Sequence, residues 1–320
     1  MAIDAPNGSV RAELTIRASG AGCARLLGWA RELDGERQFA LEDCRHVSGQ
    51  LERFLVSEGE TVLRVPPKLM GLARRGARSY GKSDPIDARA VAEAARREPG
   101  LPPARPAQTE EDLRLLLDHR DDLVAERTRL QNRLRWHLHD LGMGEDVPPH
   151  ALHRTRQLNR LSSDLAALCS VRARIVSRLA PELLAFPGCG VLSTARLVGE
   201  TGGALRFRSE AAFAMHAGVA PLPASTGKRV RYRLNRRGNR KLNAALHRIA
   251  VTQLRVCEYA RAFVRRKQQE GKSMREALRC LKRHLARRVF ALLQAIDARL
   301  RRQEMECGTE NMVDAKLGLT

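Results

Sequence analysis

The stretch QFALEDCRHVSGQLERFLVSEGETVLRV, residues 38–65, decides how the first part of this chain folds. Gln38–Glu42 is a short apolar run with the character of a buried strand. Val47–Gly59 repeats apolar residues at helical spacing, and Thr61–Val65 is a second strand stopped by Pro66-Pro67. Strand, helix and strand in that order predict two parallel strands joined by a crossover helix, and so a helix-flanked parallel sheet. Glu42 then stands at the carboxyl end of its strand, where open α/β sheets form ligand crevices, and Asp43 beside it points to the opposite face.

Upstream, SVRAELTIRA (9–18) alternates apolar and polar residues after the turn Pro6-Asn7-Gly8 and reads as a strand, and GCARLLGWARE (22–32) reads as a helix. Downstream, PIDARAVAEAARRE continues helically from Asp84 until the Pro- and Gly-rich stretch PGLPPARPAQ (99–108), which marks a domain boundary. Leu116, Leu123 and Leu130, followed by Leu134, Leu138 and Leu141, recur at coiled-coil-like steps and predict a long helix. The loop GMGEDVPPH ends it, and a second helix over 156–183 is expected to fold back antiparallel, as a helical arm or an ordinary hairpin. Beyond residue 187 come short helices, a basic cluster, a long Arg-rich helix over 272–302 and a frayed tail. The expected domains are 1–100, an arm at 108–183, a mostly α domain at 184–303 and a flexible tail at 304–320.

The charge balance narrows the partner. Lys and Arg number 57 against 36 Asp and Glu, a formal net charge of +21, which favours polyanions and above all nucleic acid. Aromatic residues make up only 4% of the chain, which argues against single-strand binding by base stacking. No long apolar run or secretory start is present, so a soluble, cytoplasmic, nucleoid-associated protein with no membrane partner is expected. The seven cysteines are scattered without a C-x-x-C pair and read as reduced thiols, neither a zinc site nor a disulfide frame.

Several groups of residues carry chemistry. Asp84 and Asp87 in GKSDPIDARA stand three apart, so on a helix both carboxylates project to one side and can share a divalent cation such as Mg²⁺. The same residues also make a good helix start, with Asp84 as N-cap, Pro85 at the first helical position and Asp87 two further on. Glu42 supplies a third acid, and a strand-end acid with helix-borne acids suits metal-dependent phosphoryl transfer. In PGCGVLSTARLVGE (187–200), Gly188 and Gly190 before a helix resemble a helix-hairpin-helix element, whose backbone N–H groups approach a DNA phosphate; a plain turn between helices reads equally. The run KRVRYRLNRRGNRK (228–241) holds Lys228, Arg229, Arg231, Arg233, Arg236, Arg237, Arg240 and Lys241 and no acid, as a DNA-backbone clamp would. Directly before it, Ser225 and Thr226 offer a hydroxyl nucleophile or a harmless turn.

Taken in order, ALED (40–43), GKSDPIDARAVAEA (81–94), PGCGVLSTARLVGE, AFAMHAGVAP (212–221) and ASTGKRVRYRLNRRGNRKLNAALHRIA (224–250) resemble the insertion-sequence transposases of the IS-one-ten (IS110) family. The resemblance implies an RNase H-like, RuvC-type α/β domain with a DEDD acid tetrad, a coiled-coil arm, and a mostly α transposase domain that contributes a serine. It implies a DNA recombinase that acts on element ends and target in double-stranded DNA, guided by a structured RNA and assembled as a homo-dimer or tetramer. Glu42 matches the tetrad's glutamate and Asp84 and Asp87 its last two aspartates, the Mg²⁺ ligands. The family serine precedes a Gly, the place of Thr226 here, with Ser225 one residue earlier, so both are candidates. The tetrad's first aspartate belongs to an opening strand with no counterpart in this chain. AIDAPNGSVRAEL matches the hairpin turn and second strand of the family pattern, with Asp4 a poor substitute for the absent acid. The expectation is a transposase copy lacking its first strand. The alternatives are an inactive copy that only binds nucleic acid, and a RuvC-like nuclease that uses water.

Overall fold

The computed structural model describes the chain apart from residues 44, 76–82, 99, 102, 106–107, 142–145, 225–231, 237 and 318–320, and apart from the side chains of 45–47, 68, 72, 74–75 and 304–317. It divides into two compact units, Met1–Pro106 and Ala107–Thr320.

In the first unit, β1 (Ala2–Ile3) and β2 (Val10–Ala12) form a short antiparallel hairpin. Its turn is closed by Gly8 N–H donating to the Asp4 carbonyl at 2.8 Å, with Gly8 at φ 72°, a conformation glycine adopts without a Cβ penalty. The strand expected over 9–18 is thus only three residues long, and α1 (Gly20–Leu33) comes next, with Ser19 accepting from Gly22 N–H as its N-cap. The strand–helix–strand unit is present as expected: β3 (Phe39–Glu42), α2 (Arg45–Ser57) and β4 (Val62–Val65), with the strands parallel and Glu42 opposite Val65. The expected larger sheet is not formed among the described residues, because β1–β2 and β3–β4 are separate two-stranded sheets.

Helices α3 (Pro67–Arg75) and α4 (Asp84–Arg97) complete the unit. Val65, Met70, Val91, Ala94 and Leu101 form one small core, and Leu27, Leu55 and Val62 another, so the two faces of the β3–β4 pair are covered by different helices. Inside the second cluster's rim, Arg64, 9% exposed, is neutralised by Glu52, to which its Nε donates at 2.7 Å.

The second unit is helical. Helices α5 (Gln108–His139) and α6 (Pro149–Leu179) pack together along their length, and the rings of His137 and His150 meet 4.8 Å apart near the turn. The return helix starts earlier and ends earlier than the 156–183 expected from the sequence, since Pro149 opens it and Pro181 already belongs to the next helix. The seam also differs: Leu113 and Leu117 are the fully buried leucines of α5, whereas Leu138 is 48% exposed. Short α7 (Pro181–Leu184) leads into α8 (Val191–Thr201), which is buried from Ser193 onward and forms the centre of the unit.

A 3-10 turn (Ala204–Arg206), α9 (Glu210–His216), the hairpin of β5 (Leu222–Pro223) with β6 (Tyr232–Arg233), α10 (Arg240–Val256), α11 (Glu258–Gln269) and α12 (Met274–Leu317) complete the unit, with α10 packed on α8 and α12 packed on α9, α10 and α11. One continuous core runs from Leu113, Leu117 and Val176 through Leu197, Phe213, Leu246 and Ile249 to Leu281, Val289 and Ile296. Helix α12 continues through Leu317, where the sequence reads as a frayed tail. Cysteines Cys23, Cys169, Cys189, Cys257 and Cys280 are free thiols. No helix is long and apolar enough to cross a membrane among the described residues.

Candidate functional site

The acidic candidates gather on elements that touch. Glu42 is the last residue of β3 and is half-buried; its carbonyl accepts from Ser48 Oγ at 3.0 Å, and the next residue, Asp43, donates its N–H to the Val65 carbonyl at 3.0 Å. The parallel pairing therefore persists one residue past the strand and holds Glu42 at its carboxyl edge. Helix α4 packs on both β3 and β4 through Val91 and Ala94, and its first turn carries Asp84 and Asp87.

The start of α4 differs from the reading of Asp84 as N-cap. Ser83 is the N-cap, without a side-chain capping bond, Asp84 is the first helical residue and Pro85 the second, and Asp87 N–H donates to the Ser83 carbonyl at 3.0 Å. Asp84 is thus not consumed as a cap; it is exposed, while Asp87 is half-buried. Both carboxylates lie where the helix dipole favours negative charge. A carboxylate further along the same helix is committed to structure: Arg96 and Arg97 hold Glu93 down to about 2.

The donor set is all carboxylate oxygen, the chemistry a hard divalent cation takes. Among the described residues, however, no three His, Cys, Asp or Glu side chains converge closely enough to hold a metal ion. Glu42, Asp84 and Asp87 are therefore candidates by chemistry and placement and do not form an assembled cage. Asp4 is spent at its hairpin, accepting from Ser9 Oγ at 2.8 Å and pairing with Arg11 at 3.3 Å.

In the second unit, the turn at Gly188 is fixed by close packing. Gly188 sits at φ 79°, and a Cβ there would stand 3.1 Å from the Ile249 carbonyl; Gln253 Nε2 donates to the Pro187 carbonyl at 2.7 Å. Gly190 caps α8 with no side-chain bond, and the turn residues with Arg248 and Thr252 line an open groove of about 590 Å³. Burial raises the Cys189 thiol, which makes it a poor thiolate.

The basic run is divided by the structure. Arg233, Arg236 and Arg240 are exposed, the last as the first residue of α10. Lys241 is exposed as well, and it is engaged by Asp118 and lies 3.7 Å from Glu200. Ser225, Thr226, Lys228, Arg229, Arg231 and Arg237 lie outside the described residues.

The ion cluster holding Lys241 was missed in the sequence. Arg196, 6% exposed, reaches Asp121, Asp118 at 3.4 Å, Glu200 at 3.4 Å and the Leu117 carbonyl at 3.3 Å, and Asn239 donates to Glu200 at 2.8 Å. Its signal was the Arg196–Glu200 pair four apart in an otherwise uncharged helix. The cluster ties α5, α8 and the start of α10 together, and Asn239 at once caps α10 by accepting from Lys241 and Leu242 N–H.

These features define a basic, two-unit protein: an acid-edged βαβ unit succeeded by a helical unit with exposed arginines. Comparison with known proteins makes this specific. Residues 1–143 match the DEDD-type IS110 family described as Transposase, and residues 180–265 match the family described as Transposase IS116/IS110/IS902 family. The chain is 28% identical over 344 residues to the Insertion element IS116 uncharacterized 44.8 kDa protein of Streptomyces clavuligerus, covering 84% of this chain and 85% of that protein. It is 27% identical over 249 residues to the Transposase for insertion sequence element IS1328 of Yersinia enterocolitica, covering 69% and 72%. The chain belongs to the IS110/IS116/IS902 family of insertion-sequence transposases. It is a DNA transposase in kind, and a DEDD domain of this type carries a general dependence on divalent metal. The nuclease and binding-only alternatives are not favoured.

Proposed function

We propose that this transposase cuts and rejoins duplex DNA by serine-type phosphoryl transfer, with a RuvC-like acid centre in its first unit and a hydroxyl nucleophile in its second. The observation that supports the proposal is the packing of β3, which ends in Glu42, against α4, whose first turn carries Asp84 and Asp87. These carboxylates would hold Mg²⁺, which when bound supplies electrostatic stabilisation of charge developing on phosphate oxygens.

The hydroxyl of Ser225 or Thr226 attacks a DNA phosphorus, the phosphorus–oxygen bond to a deoxyribose breaks, and the departing deoxyribose oxygen takes up the proton that the hydroxyl loses. The resulting protein–DNA phosphodiester conserves the bond energy for rejoining. Exposed Arg233, Arg236 and Arg240 hold the backbone near that step, together with Lys228, Arg229, Arg231 and Arg237 of the same run. The α7–α8 turn at Gly188 and Gly190 acts as a helix-hairpin-helix phosphate contact, and the paired helices α5 and α6 act as a coiled-coil arm for homo-dimer or tetramer assembly. A structured guide RNA belongs to this proposal through family resemblance, and a net charge of +21 accommodates it.

The test is capture of a covalent adduct on labelled duplex DNA carrying the ends of the element. The adduct is expected with the parent chain plus Mg²⁺, and its loss is expected in Ser225→Ala/Thr226→Ala and in Asp87→Asn. An adduct that survives the double substitution overturns the nucleophile, and one that forms without divalent metal and in Asp87→Asn overturns the acid centre.

A further inference from the structure

One cationic cluster lies partly outside the basic run and is built into the packing of α10 on α12. Lys282 on α12 is 6% exposed, and its Nζ donates to Asn243 Oδ1 at 2.6 Å. Asn243 is held in turn, its Nδ2 donating to the carbonyls of Ala217 at 3.1 Å and Gly218 at 2.9 Å, so that its oxygen is presented to the lysine. That contact sets the register of the two helices. One turn before Asn243 on α10 stands Arg240, and one turn before Lys282 on α12 stands Arg279, half-buried on the same face. Among the described residues no carboxylate pairs with Lys282, Arg240 or Arg279; Arg279 reaches only the Arg275 carbonyl of its own helix, at 3.4 Å.

Several other cations of α11 and α12 are matched by carboxylates. Arg283 and Arg287 meet Glu210, Arg261 meets Glu258, Lys267 meets Glu270, and Arg299 meets Glu182. A buried ammonium with one neutral acceptor and arginines for neighbours is costly, and the cost falls when an anion enters. The electrostatics agree with the geometry: burial, then Arg240 and Arg279, pull the Lys282 ammonium down to about 8, and burial together with Lys282 lowers the His247 imidazole one turn along α10. At neutral pH the lysine still keeps its proton, so the cluster presents its cations together, next to the positive end of the α10 dipole.

We propose that Arg240, Arg279 and Lys282 form a binding pocket for a single backbone phosphate of duplex DNA. The pocket rests on the reading of this chain as a DNA-acting transposase and adds α12 to the DNA-contacting surface. A phosphate there accepts from two guanidinium groups and from the ammonium protons that Asn243 leaves free. Because it reads no base, it anchors the helical unit on any sequence.

The test uses the full chain and a random-sequence duplex, with binding measured across a salt series. Each lost phosphate contact lowers the slope of log affinity against log salt by about 0.9. Lys282→Gln and Arg279→Gln each leave that one phosphate with two of its three cations and are each expected to lower the slope by up to that amount, with affinity reduced alike on unrelated duplex sequences. Lys267→Gln, which breaks a pair with Glu270 and a cation–π contact with Phe263, is expected to keep the parental slope. A merely structural lysine would change stability and leave the slope in place. If Lys282→Gln does not fold, the half-buried Arg279→Gln carries the test.

Parental slopes in both variants overturn the pocket while the DNA-acting reading stands. A drop seen with a structured RNA but not with duplex DNA overturns the assignment to DNA. Absence of duplex binding by the parent chain overturns both.

Discussion

The substitution Gly238→Ala tests the close backbone contact between Gly238 and Gly218. A Cβ on Gly238 would stand 2.3 Å from both the Cα and the backbone N of Gly218, and 3.0 Å from the His216 carbonyl. All three are backbone atoms, so no side chain can swing away and one chain must move. The same carbonyl of His216 accepts from Asn239 N–H at 2.6 Å, and Asn235 Nδ2 donates to the Met215 carbonyl at 3.0 Å, so the movement strains the bonds that tie Asn235 and Asn239 to the end of α9. Overpacking of a tight contact costs about 1–3 kcal/mol, and loss of one hydrogen bond adds about 1 kcal/mol. The sum, about 2–4 kcal/mol, corresponds to a fall of about 1 M in the urea midpoint. Urea unfolding monitored by circular dichroism reads this directly, and DNA affinity is expected to fall with it because Arg236 and Arg240 flank the contact. A midpoint within about 0.2 M of the parent, with unchanged DNA affinity, would refute the reasoning.

Buried charge gives two further outcomes. Arg196→Met strips the main counter-charge from Glu200, itself 9% exposed, and is expected to cost about 3–5 kcal/mol. Addition of Glu200→Met should recover much of that cost, and a single-mutant cost below about 1 kcal/mol in urea unfolding would contradict the cluster's role. For Lys282, faced by Arg240 and His247 from α10 and by Arg279 on its own helix, the folded value of about 8 lies below the ordinary 10.5. Between those values the unfolded chain holds more protons, so the DNA-free protein gains stability as the pH rises from about 8 toward 10.5. Lys282→Met should lose that component of the rise, and equal pH dependence in the two proteins would count against the buried, unpaired charge.

Part of the site was legible in the chain itself. The strand–helix–strand unit at 38–65 was readable because its apolar periods switch cleanly and Pro66-Pro67 stops the second strand. The placement of Glu42 comes from strand direction alone. The cap of α4 was misread by one residue, since Ser83 and Asp84 are both good N-caps and only the backbone chooses between them. The strand expected over 9–18 shrank to Val10–Ala12 because alternation reports a possible pairing edge and does not supply the partner strand. The leucine seam of α5 was displaced to Leu113 and Leu117, because α8 as well as α6 covers the start of that helix.

The sequence by itself determined the chemistry: a +21 chain, carboxylates at Glu42, Asp84 and Asp87, an acid-free basic run before α10, and the order of motifs that marks an insertion-sequence transposase. Those depend on composition and local spacing, which survive without knowledge of packing. The tertiary structure alone decided which cations are matched. Lys241, inside the basic run, is taken up by Asp118 and Glu200, while Lys282, far along the chain on α12, is buried and, among the described residues, donates to Asn243 alone. The physical reason is that charge pairing acts through space between helices brought together by burial of apolar faces, and no linear pattern records which faces meet.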